Sequence, residues 1–407
     1  LAAPRLSSNI AAVAPQIEGK LLYARTADGR ELPILASGEL PSRTLAVGGR
    51  ASLAQGDWED DGLDRAWRDP PPDELRHAID HFHLPPDEAR HDPTWAEWHY
   101  FNVLSPDRSK WAFISFIVGG EVPSGQWGGQ VLITTHEQGG ASRRFVATVA
   151  AGNVRFSTSR ADVAIGGSSV SVLADGRYAV HARGREEGGS STIDANLVVT
   201  PSPGAYFPGA ALSSGETISG YVVPALRAEA TGAICIDKRC EEYSRAQSYH
   251  DHNWGVWRGV TWEWGAARAG SYTLLYGRVQ PADSTAASQP LFVYMVDSLG
   301  FRALFRPREI QYEDSRTIRV GDETIRVPSR ATMVDVRGDD TLRVELRVED
   351  ATASDTRRPA IERGETLAGR KLVKPFFVQM KGVMRIAGRV SGKPINGEGA
   401  GFFETYR

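Results

Sequence analysis

The stretch YHDHNWGVWRGVTWEWG, residues 249–265, holds two histidines, two acids, an arginine and four tryptophans in 17 residues. Read as extended chain, its side chains alternate between two faces. His250, His252 and Trp254 then share one face, and Asp251 and Asn253 the other. The next segment repeats the theme, with Trp262 and Trp264 opposite Glu263. After a turn at Ala267–Gly270, Tyr272, Leu274, Tyr276 and Arg278 fall on one side. A hairpin of these pieces would gather two tryptophans, two histidines, two tyrosines and an arginine. An aromatic cavity with a few polar groups is the expected character of a small-molecule site. Trp and Tyr faces stabilise positive charge. A His, Asp or Glu in a dry pocket can have its pKa moved toward neutrality and handle a proton. Such a site suits protonation of an apolar alkene, or cyclisation through a cationic or polarised transition state. It equally suits plain binding of a conjugated apolar ligand. The same residues also suit a barrel core, where buried Trp, Tyr and His bond to the backbone.

A second cluster, TWAEWHYFN, spans residues 94–102. Trp95, Glu97, His99 and Phe101 share one strand face, and Trp98, Tyr100 and Asn102 the other. Neither face is plainly polar, so the strand is expected to be buried on both sides. Glu97 is then a buried acid that needs a partner, for which Arg268 is a candidate. A structural ion pair and a catalytic role both remain open for it.

A third group, HAIDHFH, sets His77 and His81 at helical i, i+4 spacing with His83 beyond. It lacks the glutamate of a zinc-protease motif and lies in a charged, proline-bounded segment, so solvated surface histidines are the expectation. The acids Asp57, Glu59, Asp60, Asp61 and Asp64 miss the calcium-loop pattern and read as an exposed loop. No metal site and no cofactor are expected. The chain has no GxGxxG, no GxxxxGK[ST], and no GxSxG between a strand and a helix, so nucleotide cofactors and nucleophile-elbow hydrolysis have no support.

The chain that must position these groups has 407 residues, which favours two domains. A hydrophobic fraction of 41% and a charged fraction of 24% are those of a soluble globular protein. A net charge of -3 gives no electrostatic case for nucleic acid or for an anionic membrane surface. No apolar run reaches the roughly 18 residues of a membrane span. The small residues of LAAPRLSSNIAAVAP fit what remains after a signal peptide is removed. The two cysteines sit in CIDKRC. If Asp237 and Lys238 form a two-residue turn, Cys235 faces Cys240 as a non-hydrogen-bonded pair with Cα atoms about 4.5 Å apart. That is the short edge of the disulfide range. A cross-strand disulfide, which would favour a periplasmic or secreted setting, and a pair of reduced thiols both fit.

Most of the sequence reads as β, in short runs rich in Val, Ile, Thr and aromatics separated by Gly, Asp and Asn turns. The best helix candidate is PPPDELRHAIDHFHLPPDEAR, residues 70–90. No period of about 20–50 residues indicates a propeller or solenoid. The expectation is two antiparallel β domains, residues 91–222 and 223–407, after an N-terminal extension over 1–90 with a short helix.

Taken in order, WAEWHYFN, YHDHNWG, WEWGAARAGSY and GEGAGFFETYR resemble the motifs of the AttH/carotenoid 1,2-hydratase superfamily. That group includes hydroxyneurosporene synthase-like hydratases, and fungal decalin-forming Diels–Alderases share similar motifs. The resemblance spans about residues 90–407 and implies a tandem of two lipocalin-like β-barrels with a hydrophobic ligand in or between them. Glu97, Trp98, His99 and Tyr100 correspond to a Glu-Trp-Trp-Tyr-like element, from which His99 departs. The resemblance matches His252 and Trp254 to the hydratases' His-x-Trp pair, and Tyr276 to their tyrosine. Arg278 stands where their acid is expected, which turns the expectation toward a cyclase or isomerase. In that case Tyr276 or Arg278 donates a hydrogen bond to a substrate carbonyl.

The leading expectation is a cofactor-independent enzyme acting on a polyene or isoprenoid-like molecule by cyclisation, isomerisation or hydration. His252, Tyr276, Arg278, Asp251 and Glu97 are its candidate catalytic residues. Trp98, Tyr100, Trp254, Trp262, Trp264 and Tyr272 are its candidate ligand-binding residues. A non-catalytic lipid or pigment carrier and an interaction module are the other two readings. The expected partner is a hydrophobic small molecule, with contact at a membrane surface left open and nucleic acid disfavoured.

Overall fold

The structure is a computed structural model that describes residues 21–25, 31–35, 80–83, 95–121, 126–214, 217–257, 260–280, 290–356 and 374–407. Most of these residues form antiparallel strands, as the all-β reading expects. Among the described residues, the one helical turn is Ala151–Asn153. No described helix is long and apolar enough to cross a membrane. Of the helix expected over 70–90, only Asp80–His83 are described, and these run as bend and coil. The acidic stretch 56–64 and His77 lie outside the described residues. Within the N-terminal extension, Leu21–Arg25 pairs with Glu31–Leu35.

Eight strands close a ring. In order they are Thr192–Pro201, Thr217–Ile236, Arg239–Val256, Trp95–Leu104, Lys110–Glu121, Gln126–Glu137, Arg143–Ala150 and Tyr178–Glu186, and the last pairs back onto the first. Eight strands make a barrel just wide enough for side chains or one small ligand. The second sheet has nine strands. Its centre is formed by Tyr272–Gln280, Thr261–Ala269, Lys393–Tyr406, Phe376–Val390 and Asp340–Asp355, paired in that order. The change of sheet falls between Val256 and Thr261 rather than near residue 222. The strands Thr217–Ile236 and Arg239–Val256 are hydrogen-bonded into the first barrel.

Three apolar layers follow from this arrangement. Phe101, Ile114, Phe116, Ile133 and Phe145 fill the first barrel. Leu274, Tyr276, Val293, Met384 and Phe403 fill the second. Tyr100, Trp111, Phe113, Phe207, Trp264, Phe292 and Phe402 form a third core where the outer faces of the two barrels meet. Strands in the shared wall are therefore buried on both sides, which is why TWAEWHYFN lacks a polar face. Polar contacts also cross the interface. Lys381 Nζ donates to the Arg108 carbonyl at 2.7 Å, and Gln247 Nε2 donates to the Ala400 carbonyl at 3.0 Å.

The cysteine hairpin forms as drawn from the sequence. Asp237 and Lys238 both take positive φ, 49° and 69°, the pattern of a type I′ turn. Cys235 and Cys240 are direct cross-strand partners and are joined by a disulfide, with Cα atoms 3.9 Å apart. The hairpin after WEWG also forms, with Trp264 opposite Gly277 and Gly265 opposite Tyr276. Each ring lies over the glycine facing it. A Cβ on Gly277 would stand 2.4 Å from the Trp264 indole, and one on Gly265 would stand 2.4 Å from the Tyr276 ring. Gly277→Ala is therefore expected to destabilise the fold by about 1–3 kcal/mol through overpacking. Urea denaturation followed by tryptophan fluorescence measures it, and an unchanged midpoint would refute this account of the glycine.

Candidate functional site

A cavity of about 1290 Å³ lies between the barrels. One wall comes from the first barrel's outer face, with Trp98 and Tyr100, Phe113 and Ile117, and Asp251 and Asn253. The other comes from the second sheet, with Trp262 and Trp264, Gln379, and Glu404 and Tyr406. Alternation along each strand produces this directly, because residues two apart share a face. The hairpin of Arg316–Val320 with Glu323–Val327 edges the cavity, and its exposed residues Arg319, Asp322 and Glu323 mark the open end.

Two carboxyls stand in these aromatic walls. Asp251 is 5% exposed. Its Oδ2 accepts from the Tyr249 hydroxyl at 2.7 Å, and its Oδ1 accepts from Asn253 Nδ2 at 2.6 Å. The Tyr249 hydroxyl in turn accepts from Trp264 Nε1 at 2.8 Å, so a hydrogen-bond chain runs from one barrel to the other. Burial, with the Glu404 carboxyl nearby, pushes Asp251 up to about 8, while the bonds from Tyr249 and Asn253 oppose that rise. Glu404 accepts from Trp262 Nε1 at 3.0 Å and from Gln379 Nε2 at 3.2 Å, and burial raises it too. Asp251 therefore holds its proton more tightly than an exposed aspartate does, where it faces the aromatic part of the cavity.

Of the residues expected to form a site, the structure brings Asp251, Trp98, Tyr100, Trp262 and Trp264 together around this cavity. His252 and Glu97 face the opposite way, into the first barrel, and both are fully buried. There His252 Nε2 lies 2.7 Å from Glu97 Oε1, and His252 Nδ1 lies 2.9 Å from Asp80 Oδ1. Burial raises Glu97 well above the ordinary carboxylate value and lowers His252 well below the ordinary imidazole value. A neutral Glu97 then donates to Nε2, and Nδ1–H donates to Asp80. The His83 backbone N–H donates to both Glu97 oxygens at 2.8 Å. Glu97's partners are thus His252 and His83. Arg268 instead donates to the Ala228 carbonyl.

Trp254 stacks on the His83 ring, with centroids 3.6 Å apart. Asp80 and His83 are accordingly parts of the barrel interior and its rim, not solvated surface groups. Tyr276 is buried in the second barrel's core beside Phe403. Tyr272 packs on that same core. Arg278 is held by Glu263, its Nε 2.8 Å from Oε2. The expected hairpin between YHDHNWG and WEWG does not form, because the two strands belong to different sheets. Their aromatic groups meet across the cavity instead.

Sequence reading missed Glu404 in the cavity, Tyr249 behind Asp251 in its wall, and Asp80 and Tyr178 in the barrel. Glu404 had a local signal: in GFFETY it shares a face with Phe402 and Tyr406, an acid alone among aromatics. Asp80 had none, because its partners lie up to 172 residues away. Two sets of three donors, Asp80 with His99 and His250, and His83 with Glu97 and His252, have ligand atoms within 4.8 Å of one another.

No protein-family model and no curated relative matches the chain. Among solved structures, a putative AttH from Nitrosomonas europaea aligns over 80% of this chain and 98% of that one, at 17% identity and a TM-score of 0.51. The fold is the AttH fold. Kievitone hydratase from Nectria haematococca aligns over 81% of this chain and 95% of its own, at 11% identity and a TM-score of 0.46. CghA, solved with Sch210972, covers 81% and 95% at 17% identity and a TM-score of 0.44. The two-barrel fold expected from the sequence is that of the Nitrosomonas europaea structure.

The raised Asp251 has a consequence for stability. Between about pH 4 and pH 8 the native state keeps a proton that the unfolded chain has lost, so this group makes stability fall as pH rises, by at most about 1.4 kcal/mol per pH unit. Asp251→Asn removes that dependence. Urea denaturation at pH 5 and pH 8 is expected to show a smaller loss of stability in the variant than in the wild type. Equal losses would mean that Asp251 titrates normally.

Proposed function

We propose that the protein is an enzyme that takes an apolar, conjugated molecule of polyene or isoprenoid-like character into the cavity between its barrels. There it cyclises, isomerises or hydrates the substrate with Asp251 as proton donor. The observation that supports this reading is a buried, hydrogen-bonded carboxyl, raised by its burial, set among tryptophan and tyrosine faces. Donation from Asp251 to one end of the conjugated system leaves positive charge on the substrate, which Trp98, Trp262 and Trp264 are placed to stabilise. The carboxylate formed keeps its bonds from Tyr249 and Asn253, which strengthen as charge develops on it. The cation is then resolved by water addition and loss of a proton, by direct loss of a proton, or by attack of a second double bond followed by loss of a proton, the proton in each case returning to the Asp251 carboxylate.

The fold alone does not fix the reaction, so the test must see product. The purified chain is incubated with a panel of conjugated polyenes and the extracts are compared by mass and retention time. A new product is expected, formed about 10²–10⁴-fold more slowly by Asp251→Asn, the usual worth of a general acid. Quenching of tryptophan fluorescence by the polyene should persist in that variant. Trp262→Ala should weaken both quenching and turnover. A polyene that binds the wild type and is returned unchanged would replace the enzyme reading with that of a carrier.

A further inference from the structure

The inside of the first barrel carries a feature unrelated to the cavity. Asp80, His99 and His250 come from three different segments and are 0%, 1% and 0% exposed. His250 Nδ1 lies 3.0 Å from the Tyr100 carbonyl oxygen. A carbonyl only accepts, so Nδ1 carries the hydrogen and Nε2 of the neutral ring carries a lone pair. That Nε2 has no hydrogen-bond partner, and it lies 3.9 Å from Asp80 Oδ2. His99 Nδ1 is also buried without a partner, 4.0 Å from Asp80 Oδ1. The His250 lone pair directed at a carboxylate oxygen in a dry interior is repelled by it, and buried polar atoms are rarely left without a partner.

The neighbouring set is different. His83, Glu97 and His252 satisfy one another through hydrogen bonds of 2.7–3.1 Å. Only the first set has ligand atoms in want of a positive centre. Zinc bonds to imidazole nitrogen and carboxylate oxygen are about 2.0–2.2 Å long. In a tetrahedral shell such bonds set ligand atoms roughly 3.3 Å apart, so donor atoms now 3.9–4.0 Å apart would draw in slightly around the ion. The surroundings fit as well, since metal-bound histidines and carboxylates usually have their remaining atoms tied by hydrogen bonds. His250 Nδ1 is tied to Tyr100, Asp80 Oδ2 accepts from Tyr178 at 2.5 Å, and Asp80 Oδ1 accepts from His252 at 2.9 Å.

We infer that Asp80, His99 and His250 bind a divalent transition-metal ion of the zinc class, which clips the segment Asp80–His83 into the first barrel. Imidazole donors suit zinc and its neighbours rather than magnesium or calcium. Phe82 of this segment is buried in the barrel core, and its backbone N–H donates to the Ser157 carbonyl, so the ion would hold a plug already seated there.

The test uses the full chain, stripped with a chelator and dialysed against zinc or magnesium. One zinc per chain is expected by elemental analysis, with a melting temperature raised by several degrees relative to the stripped protein, and no magnesium retained. Asp80→Asn and His99→Gln should each lose the zinc. His181→Gln, altering a partly exposed histidine of the same barrel, should keep it. X-ray absorption of the zinc-loaded wild type is read alongside, so that misfolded variants do not decide the matter. Two imidazole nitrogens with carboxylate oxygen support the site. Failure of the folded wild type to retain zinc, zinc retained by folded Asp80→Asn, or a shell without imidazole would each overturn it.

Discussion

The arrangement depends on the pairing of Trp95–Leu104 with Arg239–Val256, in which His99 faces His252 and Tyr100 faces Asp251. Over the paired stretch, 95–104 with 247–256, the strands are largely buried on both sides, one face toward the first barrel's interior and the other toward the second barrel. A slip of one residue would exchange the faces completely. Were Arg239–Val256 to slip, Asp251 would enter the barrel and His252 the cavity; were Trp95–Leu104 to slip, Trp98 and Glu97 would exchange in the same way. Few sequences tolerate that exchange, since the interior set is matched to partners on the 80–83 segment and the outer set to partners on the second sheet. Register here is thus a condition for both polar clusters.

Those clusters treat carboxyls differently. Glu97 is sealed from solvent and surrounded by donors, two bonds from His83 and one shared with His252. A buried acid so enclosed can specify how a segment docks, but it cannot reach a ligand in the cavity. Asp251 has the same difficulty of burial but faces open space, with bonds from Tyr249 and Asn253 on its flanks. Burial raises both groups. Access alone separates a structural acid from one that can give its proton to a substrate.

The fold was legible to the extent that period-two patterning and turn chemistry are local. The all-β class, the cysteine hairpin around Asp237 and Lys238, and the double burial of TWAEWHYFN all follow from neighbours in sequence. The change of sheet after Val256 was not legible, because a Gly-containing stretch between two aromatic strands reads as a hairpin turn whether or not the strands pair. For the same reason Tyr276 and Arg278 were grouped with His252, although the structure sets them in separate barrels. Asp251, Trp98, Tyr100, Trp262 and Trp264 were legible because residue type and alternation sufficed. Asp80 was not, because a single acid in a proline-bounded segment becomes significant only when a distant strand brings His252 to it.

The density of costly residues in YHDHNWGVWRGVTWEWG has a geometric cause. The chain leaves the first barrel at Val256 and enters the second sheet at Thr261, so this one segment crosses the cavity and supplies both walls. Asp251 and Asn253 lie before the crossing, Trp257 and Val260 line it, and Trp262 and Trp264 lie after it. The bond from Trp264 to Tyr249, and from Tyr249 to Asp251, then spans the gap between barrels. Any shift of one barrel against the other changes the donor set around Asp251, because the Tyr249 hydroxyl that opposes its rise is itself oriented from the second sheet. The proton affinity of the acid and the docking of the barrels are therefore one property of the fold, encoded in a segment short enough to be read at a glance.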